Sequence, residues 1–282
     1  MTNARKHSRI SIVLVALFFF SLLSLPAAAQ DTKEFSYTVG PGAVITITNN
    51  YGPITVKPSG SSQVVVETAY HSDTVTLVNE QHGDRIQLRS ISSRQGTNLV
   101  EYTVLVPAAA FVTLRSSDGT LRAQGLRGDV VLEAVSGSVE VTDISDAHLH
   151  VKTLSGSITL TDIRNSHLDI HSVRGNVNLH NVTGPSVEVY SGGGRITYDG
   201  DPGRIGEYRL TSHIGDLEVS IPASAWVDIE AHSIRNQPDP EFPTASSVPA
   251  TGETSLLGKP GKILGSRFEL RSFSGKIRLK RP

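Results

Sequence analysis

Cysteine is absent from the 282-residue chain, so no disulfide framework and no thiolate metal site can hold it together or supply chemistry. A basic excess is absent too. The 26 Lys and Arg residues face 27 Asp and Glu, which leaves no electrostatic footprint for nucleic acid. Enzyme signatures are missing: no Gly-x-Ser-x-Gly elbow, no His-Glu-x-x-His, no phosphate-cradling loop of Walker or dinucleotide type. Gly192-Gly193-Gly194 lies between two strand-like runs, so the helix terminus that would hold phosphate is lacking. Only one long apolar run occurs, Ile10 to Leu25, behind Arg5, Lys6 and Arg9 and ahead of Pro26 and Ala27-Ala28-Ala29. This order reads as a secretory signal peptide over residues 1–29, cleaved before Gln30. The run is short for a spanning helix, and an uncleaved signal segment is the only membrane attachment expected. Its removal leaves 23 basic against 27 acidic residues, a net charge of −4 with His neutral. The exported chain must then rely on its core and its hydrogen bonds.

What fills the remainder is one phrase, repeated. Asp129-Val-Val-Leu-Glu-Ala-Val-Ser-Gly137-Ser-Val-Glu-Val-Thr-Asp-Ile144 is followed by His148-Leu-His-Val-Lys-Thr-Leu-Ser-Gly156-Ser-Ile-Thr-Leu-Thr-Asp-Ile163. A third copy runs from His167 through Gly175 to Val182, and a looser fourth from Ser186 through Gly194 to Asp199. The glycines Gly119, Gly137, Gly156, Gly175, Gly194 and Gly215 are spaced by 18, 19, 19, 19 and 21 residues, and Gly275 stands in a further copy near the end. A fixed period near 20 marks a solenoid. Seven and five residues before the glycine the chain is apolar (Leu149 and Val151, Leu168 and Ile170), as it is two and four after it (Ile158 and Leu160, Val177 and Leu179). Such alternation means strands with one buried face, and the three-and-four spacing of a helix is not seen. The fold expected is therefore all-β: a single-stranded parallel β-solenoid, β-helix-like, with coils of about 19 residues stacked ~4.8 Å apart. Right-handed winding follows from the preference of parallel crossovers. The glycine is expected where the backbone angle costs other residues most. Asp143, Asp162 and Asn181, six residues beyond it, read as the opposite turn and not as a calcium ladder.

Residues 30–282 then form one domain: irregular opening coils over 30–115, regular coils over 116–233, an excursion over 234–266 and a terminal coil over 267–282. In the opening part Val44 to Val56 repeats the strand, glycine, strand grammar around Gly52, and further strands are expected over 64–68, 84–89 and 99–106. The excursion carries Pro238, Pro240, Pro243, Pro249 and Pro260 and reads as a flap or lid on the solenoid end. The terminal coil is expected to be the exposed end of the stack, its edge blunted by the charges of Lys276, Arg278 and Lys280.

Several of these features together resemble the bacterial putative-adhesin domains, exported β-solenoids of unknown function. They are Leu105-Val-Pro107 ahead of Phe111-Val-Thr-Leu114, the Ser-Gly-Ser and Gly-Asn corners at Gly137, Gly156 and Gly175, and the closing Ser272-Phe-Ser-Gly275-Lys-Ile277. The likeness spans most of residues 35–282 and implies adhesion or other cell-envelope work. It assigns no catalytic residue. Asn236 departs from the pattern, standing where a corner glycine would fall.

The outward positions form columns. His148, His150 and Lys152 of one strand fall beside His167, Asp169 and His171 of the next. Spacings of about 4.8 Å across and ~6.6 Å along the strands would suit two or three ligands of zinc, copper or nickel. The plainer reading is a solvated, histidine-rich face with no cofactor; a third is a surface that repels itself once its imidazoles protonate below about pH 6.5. Beyond the glycine, Ser138, Ser157, Thr159, Asn176 and Asn178 make a flat polar field, of the kind that holds polysaccharide or protein and equally of any solvated β-face. Tyr190 is expected outward on the histidine side. Tyr190 and Trp226 are the aromatics that could offer a sugar-stacking ring, and the alternative for Trp226 is a place in the core or as a cap, the commoner fate of a lone tryptophan.

Three functional expectations follow. The first is a non-enzymatic, exported, adhesin-like solenoid, periplasmic or at the cell surface, offering flat faces to an envelope protein or polysaccharide. The second is a polysaccharide-active β-helix enzyme, which needs two carboxyls ~5–9.5 Å apart in a cleft. The third is a metal- or pH-responsive envelope component that works through the histidine patch.

Overall fold

The computed structural model describes residues 31–70, 75–92, 99–235, 239–240, 245–247, 254–257 and 265–280. Residues 1–29, expected to be a signal peptide, and Asn236 lie outside these, as does most of the proline-rich excursion. Among the described residues there is no helix. The strands make two sheets, of 12 and 13 strands, mostly parallel.

Through the middle of the chain, strands before the corner glycine fall in the larger sheet and strands after it in the smaller. Val130–Ala134, His148–Thr153, His167–Ser172, Ser186–Ser191 and Glu207–Ser212 lie side by side in parallel. So do Val139–Thr142, Ile158–Ile163, Val177–Val182, Ile196–Asp199 and Leu217–Ser220. The register is the repeat itself: Leu149 stands beside Val130 on one side and Leu168 on the other, and Ile158 beside Val177. Each apolar column turns inward and is buried along its length. Complete burial of one such side chain contributes roughly 1.5–3 kcal/mol, and every coil supplies its neighbours with the same surface. Where the repeat lengthens to 21 residues, Tyr198, Tyr208 and Phe268 fill the extra core, with Tyr208 and Phe268 stacked at 4.5 Å. Burial pushes the Tyr208 hydroxyl up to about 12, and it donates to the carbonyl of Pro202 at 2.9 Å.

The corner glycines owe their identity mainly to contact, which corrects the expectation of a costly backbone angle. A Cβ on Gly156 would stand 1.8 Å from the carbonyl oxygen of Gly137, and one on Gly175 the same distance from that of Gly156. The ladder continues through Gly194 and Gly215 to Gly275, each 2.0 Å from the glycine oxygen beneath. Within it only Gly52 and Gly119 have positive φ. The left-handed conformation is taken at the opposite turn by Asp143, Asp162 and Asn181, with φ of 55°, 55° and 52°. Asx residues tolerate that region best after glycine.

Both ends depart from chain order. The coil over 44–59 is laid between the strands Arg85–Ser92 and Val100–Pro107 on its outer side and the coil over 111–124 on its inner side. At the other end Ser266–Ser272 inserts between Glu207–Ser212 and Val227–Ser233, and Ile277–Lys280 pairs with Leu217–Ser220. The terminal coil is thus interior to the stack and not its exposed edge. Its charges are used inward along the ladder: Arg278 pairs with Asp216 at 3.0 Å and Lys280 with Glu218 at 2.7 Å. Antiparallel strands finish the sheets, except at the far end of the smaller one, where the two-residue strand Asp239–Pro240 lies parallel beside Ile277–Lys280. At the opening end these are Gln63–Tyr70 and Asp31–Thr38 in one sheet and Val75–His82 in the other, so part of the opening region is hairpin rather than coil. At the far end Thr254–Leu257 and Ala245–Ser247 play that part. Reversing strand direction at an edge disfavours continued parallel addition of another copy.

Two measurements test this account. Gly156→Ala is expected to destabilise the chain by roughly 2–4 kcal/mol through overpacking against backbone. Gly42→Ala, where an added Cβ meets nothing within 4 Å, should leave the urea midpoint unchanged. Asp216 accepts the Lys276 amide at 2.9 Å, and that bond, with Arg278, holds its carboxyl below the usual aspartate range. Its stabilising contribution is therefore present above the unfolded value of about 3.9 and lost as pH falls through the folded one. Below about pH 4, the wild-type urea midpoint should fall more steeply than that of Asp216→Asn.

Candidate functional site

Three surface features rise above the solvated background. The first is the imidazole face. The parallel register sets His148 beside His167, His150 beside Asp169 and Lys152 beside His171. The His148 and His167 rings stack at 4.9 Å with 13° between planes, which is one strand spacing. Asp169 is bridged by its neighbours: Oδ2 lies 2.8 Å from His150 Nδ1 and Oδ1 lies 2.9 Å from His171 Nε2. His148 Nδ1 turns away to Asp129 at 3.1 Å. Both carboxylate oxygens are thereby occupied by imidazole nitrogens. Among the described residues no three His, Asp or Glu side chains converge as a metal site would require. The five residues expected together are neighbours: His150, Asp169 and His171 join through hydrogen bonds, and His148 stacks on His167.

The second feature is an outward position that the sequence reading passed over because its residues are apolar. Just ahead of each corner glycine the chain runs outward, inward, outward. The inward residue is small and buried: Ser116, Thr153, Ser172, Ser191, Ser212 and Ser272. The next is outward and often apolar: Val135, Leu154 and Val173 are 49%, 42% and 51% exposed in three consecutive coils. Backbone bonds hold this column in line, Leu154 N donating to Ala134 O at 3.2 Å and Val173 N to Thr153 O at 3.0 Å. Further along, His213 and Phe273 stack at 4.9 Å, with the Arg235 guanidinium 5.3 Å from the Phe273 ring. Small inward and large outward residues leave a shallow groove along the solenoid axis, with a hollow of about 580 Å³ beside Leu154 and another of about 410 Å³ beside Phe273. The signal was in the text: an apolar residue two before the glycine, out of phase with the strand, in three successive copies.

The third feature decides between two readings. Trp226 is neither core nor cap but 63% exposed, on the rim of a hollow of about 730 Å³.

Several carboxylates near these places are held by cations. Arg209 lies 3.1 Å from Glu269 and 3.4 Å from Glu188, and those bonds raise its pKa. Glu230 accepts from His232 at 2.8 Å and from Arg267 at 3.0 Å, which holds it below the usual glutamate range. Exposed pairs of this kind add little stability singly; here they order the surface along the stack.

The groove floor yields a direct test. Ser172 and Ser191 donate to the carbonyls of Gly175 and Gly194 at 2.6 and 2.8 Å, whereas the hydroxyls of Ser212 and Ser272 have no partner among the described residues. Ser172→Ala and Ser191→Ala should each cost about 1 kcal/mol, and Ser212→Ala and Ser272→Ala should be neutral or stabilising in urea unfolding.

Comparison with known proteins places this geometry. A Bacteroides fragilis protein described as a putative adhesin superposes with a TM-score of 0.51 at 13% identity, covering 90% of this chain and 99% of its own. A putative adhesin from Parabacteroides merdae gives 0.34 at 13% identity over 70% of this chain and 90% of its own. A putative cell adhesion protein from Clostridium sporogenes gives 0.27 at 11% over 89% and 100%. Only the first is close enough to speak to the fold, and at its identity it speaks to the fold alone. No curated protein matches the sequence. The sequence pattern of one family, described as Toastrack DUF4097, matches residues 43–236, which takes in every regular coil from Gly52 to Gly215. On that match, the chain belongs to the Toastrack DUF4097 family.

Proposed function

We propose that this chain is an exported, non-enzymatic, adhesin-like solenoid, wound right-handed, that works in the periplasm or at the cell surface and binds an envelope protein along its apolar corner. The observation that carries this reading is the column Val135, Leu154 and Val173, half-exposed in consecutive coils beside a groove. Single exposed apolar residues need no explanation. A run of them at one corner, spaced ~4.8 Å by the strands, is a line of contacts that a partner can follow, and contiguous apolar surface of this kind marks interaction sites. The names of the similar structures are in keeping with it.

Catalysis finds no comparable support. The carboxylates Glu188, Glu269 and Glu230 are committed to arginine and histidine partners, a poor setting for a proton donor that must keep its proton near neutral pH.

The test is binding of the mature chain to purified envelopes, before and after protease treatment of those envelopes. A Val135→Ser, Leu154→Ser, Val173→Ser triple variant should lose roughly tenfold or more in affinity with its thermal midpoint little changed, since all three side chains are exposed. Protease treatment should abolish wild-type binding. Equal binding by wild type and variant removes the reading, and binding that survives protease transfers it to polysaccharide.

A further inference from the structure

We propose that the hollow under Trp226 is a binding site for a carboxylate-bearing sugar, separate from the apolar corner. It lies at the other end of the same strands: Glu207 opens the strand Glu207–Ser212 whose last residue floors the groove. About 20 Å of strand separates the two.

Two charged groups on this hollow are uncommitted. Many of the described arginines are paired across coils, as in Arg115 with Glu133, Arg122 with Glu140 and Arg164 with Asp143. Here Arg204 and Glu207 line one hollow, and neither takes an ion-pair partner among the described residues. Trp226, the single tryptophan of the chain, likewise makes no ring contact and no side-chain hydrogen bond among them, although it is 63% exposed. Ile205 beside it is 87% exposed. Arg267, on the same hollow, is fixed by Glu230 through Nη2 at 3.0 Å and keeps other guanidinium donors to offer. The floor is bare backbone. A Cβ on Gly265 would stand 2.0 Å from the Trp226 carbonyl oxygen, and one on Gly206 would stand 2.5 Å from that of Gly184.

These pieces fit one ligand chemistry. A pyranose offers a flat face of C–H groups to an indole, and its hydroxyls can donate to Glu207. Arg204 has no carboxylate partner to give up among the described residues, and guanidinium binds a carboxylate through a two-bond fork. The ligand chosen by this set is therefore an acidic sugar over a neutral one. About 730 Å³ lies within the ~300–1,000 Å³ of small-molecule sites.

The lone tryptophan is its own probe. Titrating the mature chain with tetragalacturonate should change the Trp226 emission saturably, and maltotetraose should bind roughly tenfold or more weakly. By calorimetry Trp226→Ala should lose roughly tenfold or more in affinity and Arg204→Gln several-fold, with unchanged thermal unfolding because both side chains are exposed. The Val135, Leu154, Val173 triple variant should bind tetragalacturonate as wild type does, so either site can fail without the other. No saturable emission change, equal affinity for maltotetraose, equal affinity for tetraglutamate, or full binding by Trp226→Ala would each overturn the proposal.

Discussion

The structure depends on one contact, the α-carbon of a corner glycine resting on the carbonyl oxygen of the glycine one coil below. A methyl group at Gly137, Gly156 or Gly175 would stand 1.8 Å from that oxygen, well inside any van der Waals separation. With the corner closed this far, the strands on either side reach hydrogen-bonding distance, and the inward columns meet residue for residue. Hydrophobic burial stabilises the stack, but it is non-directional. The glycine ladder fixes which residue lies over which.

That register also arranges the surface. Because positions 19 apart become neighbours, a side chain repeated in the text becomes a column in space. Asp169 receives one imidazole from the strand below and one from its own strand, His150 and His171. Val135, Leu154 and Val173 become an apolar line, and Arg209 sits between glutamates on two neighbouring strands. The family membership and the adhesin-like reading both rest on this translation of sequence period into surface pattern. Neither depends on any single reactive group.

Much of this was legible in the sequence, for a physical reason. Period-2 alternation names the buried face and the 19-residue repeat names the neighbour, so Leu149 beside Leu168 and His150 beside Asp169 could be read directly. Other features could not. A glycine needed for contact and one needed for its backbone angle look alike in a sequence, so the angle was looked for at Gly156 and found at Asp162. The outward turn of Val135, Leu154 and Val173 continues the strand alternation up to the corner, and it escaped notice because these outward positions are apolar. Trp226 could be read either as an exposed ring or as a core or capping residue, because the tendency of apolar residues to be buried holds least well for residues placed by a loop. The stacking order at the two ends depends on which coil docks against which, and Glu207–Ser212 accepts Ser266–Ser272 over the nearer Val227–Ser233 without any local mark in the chain.

That last arrangement bears on how the molecule is assembled over time. Growth of a solenoid from one end to the other needs each new rung to land on the one just made. Here a rung made later must slip beneath one made earlier, so Val227–Ser233 has no seat until Ser266–Ser272 has arrived. Ser266–Ser272 acts as a keystone, and this part of the stack cannot close before that strand has been made.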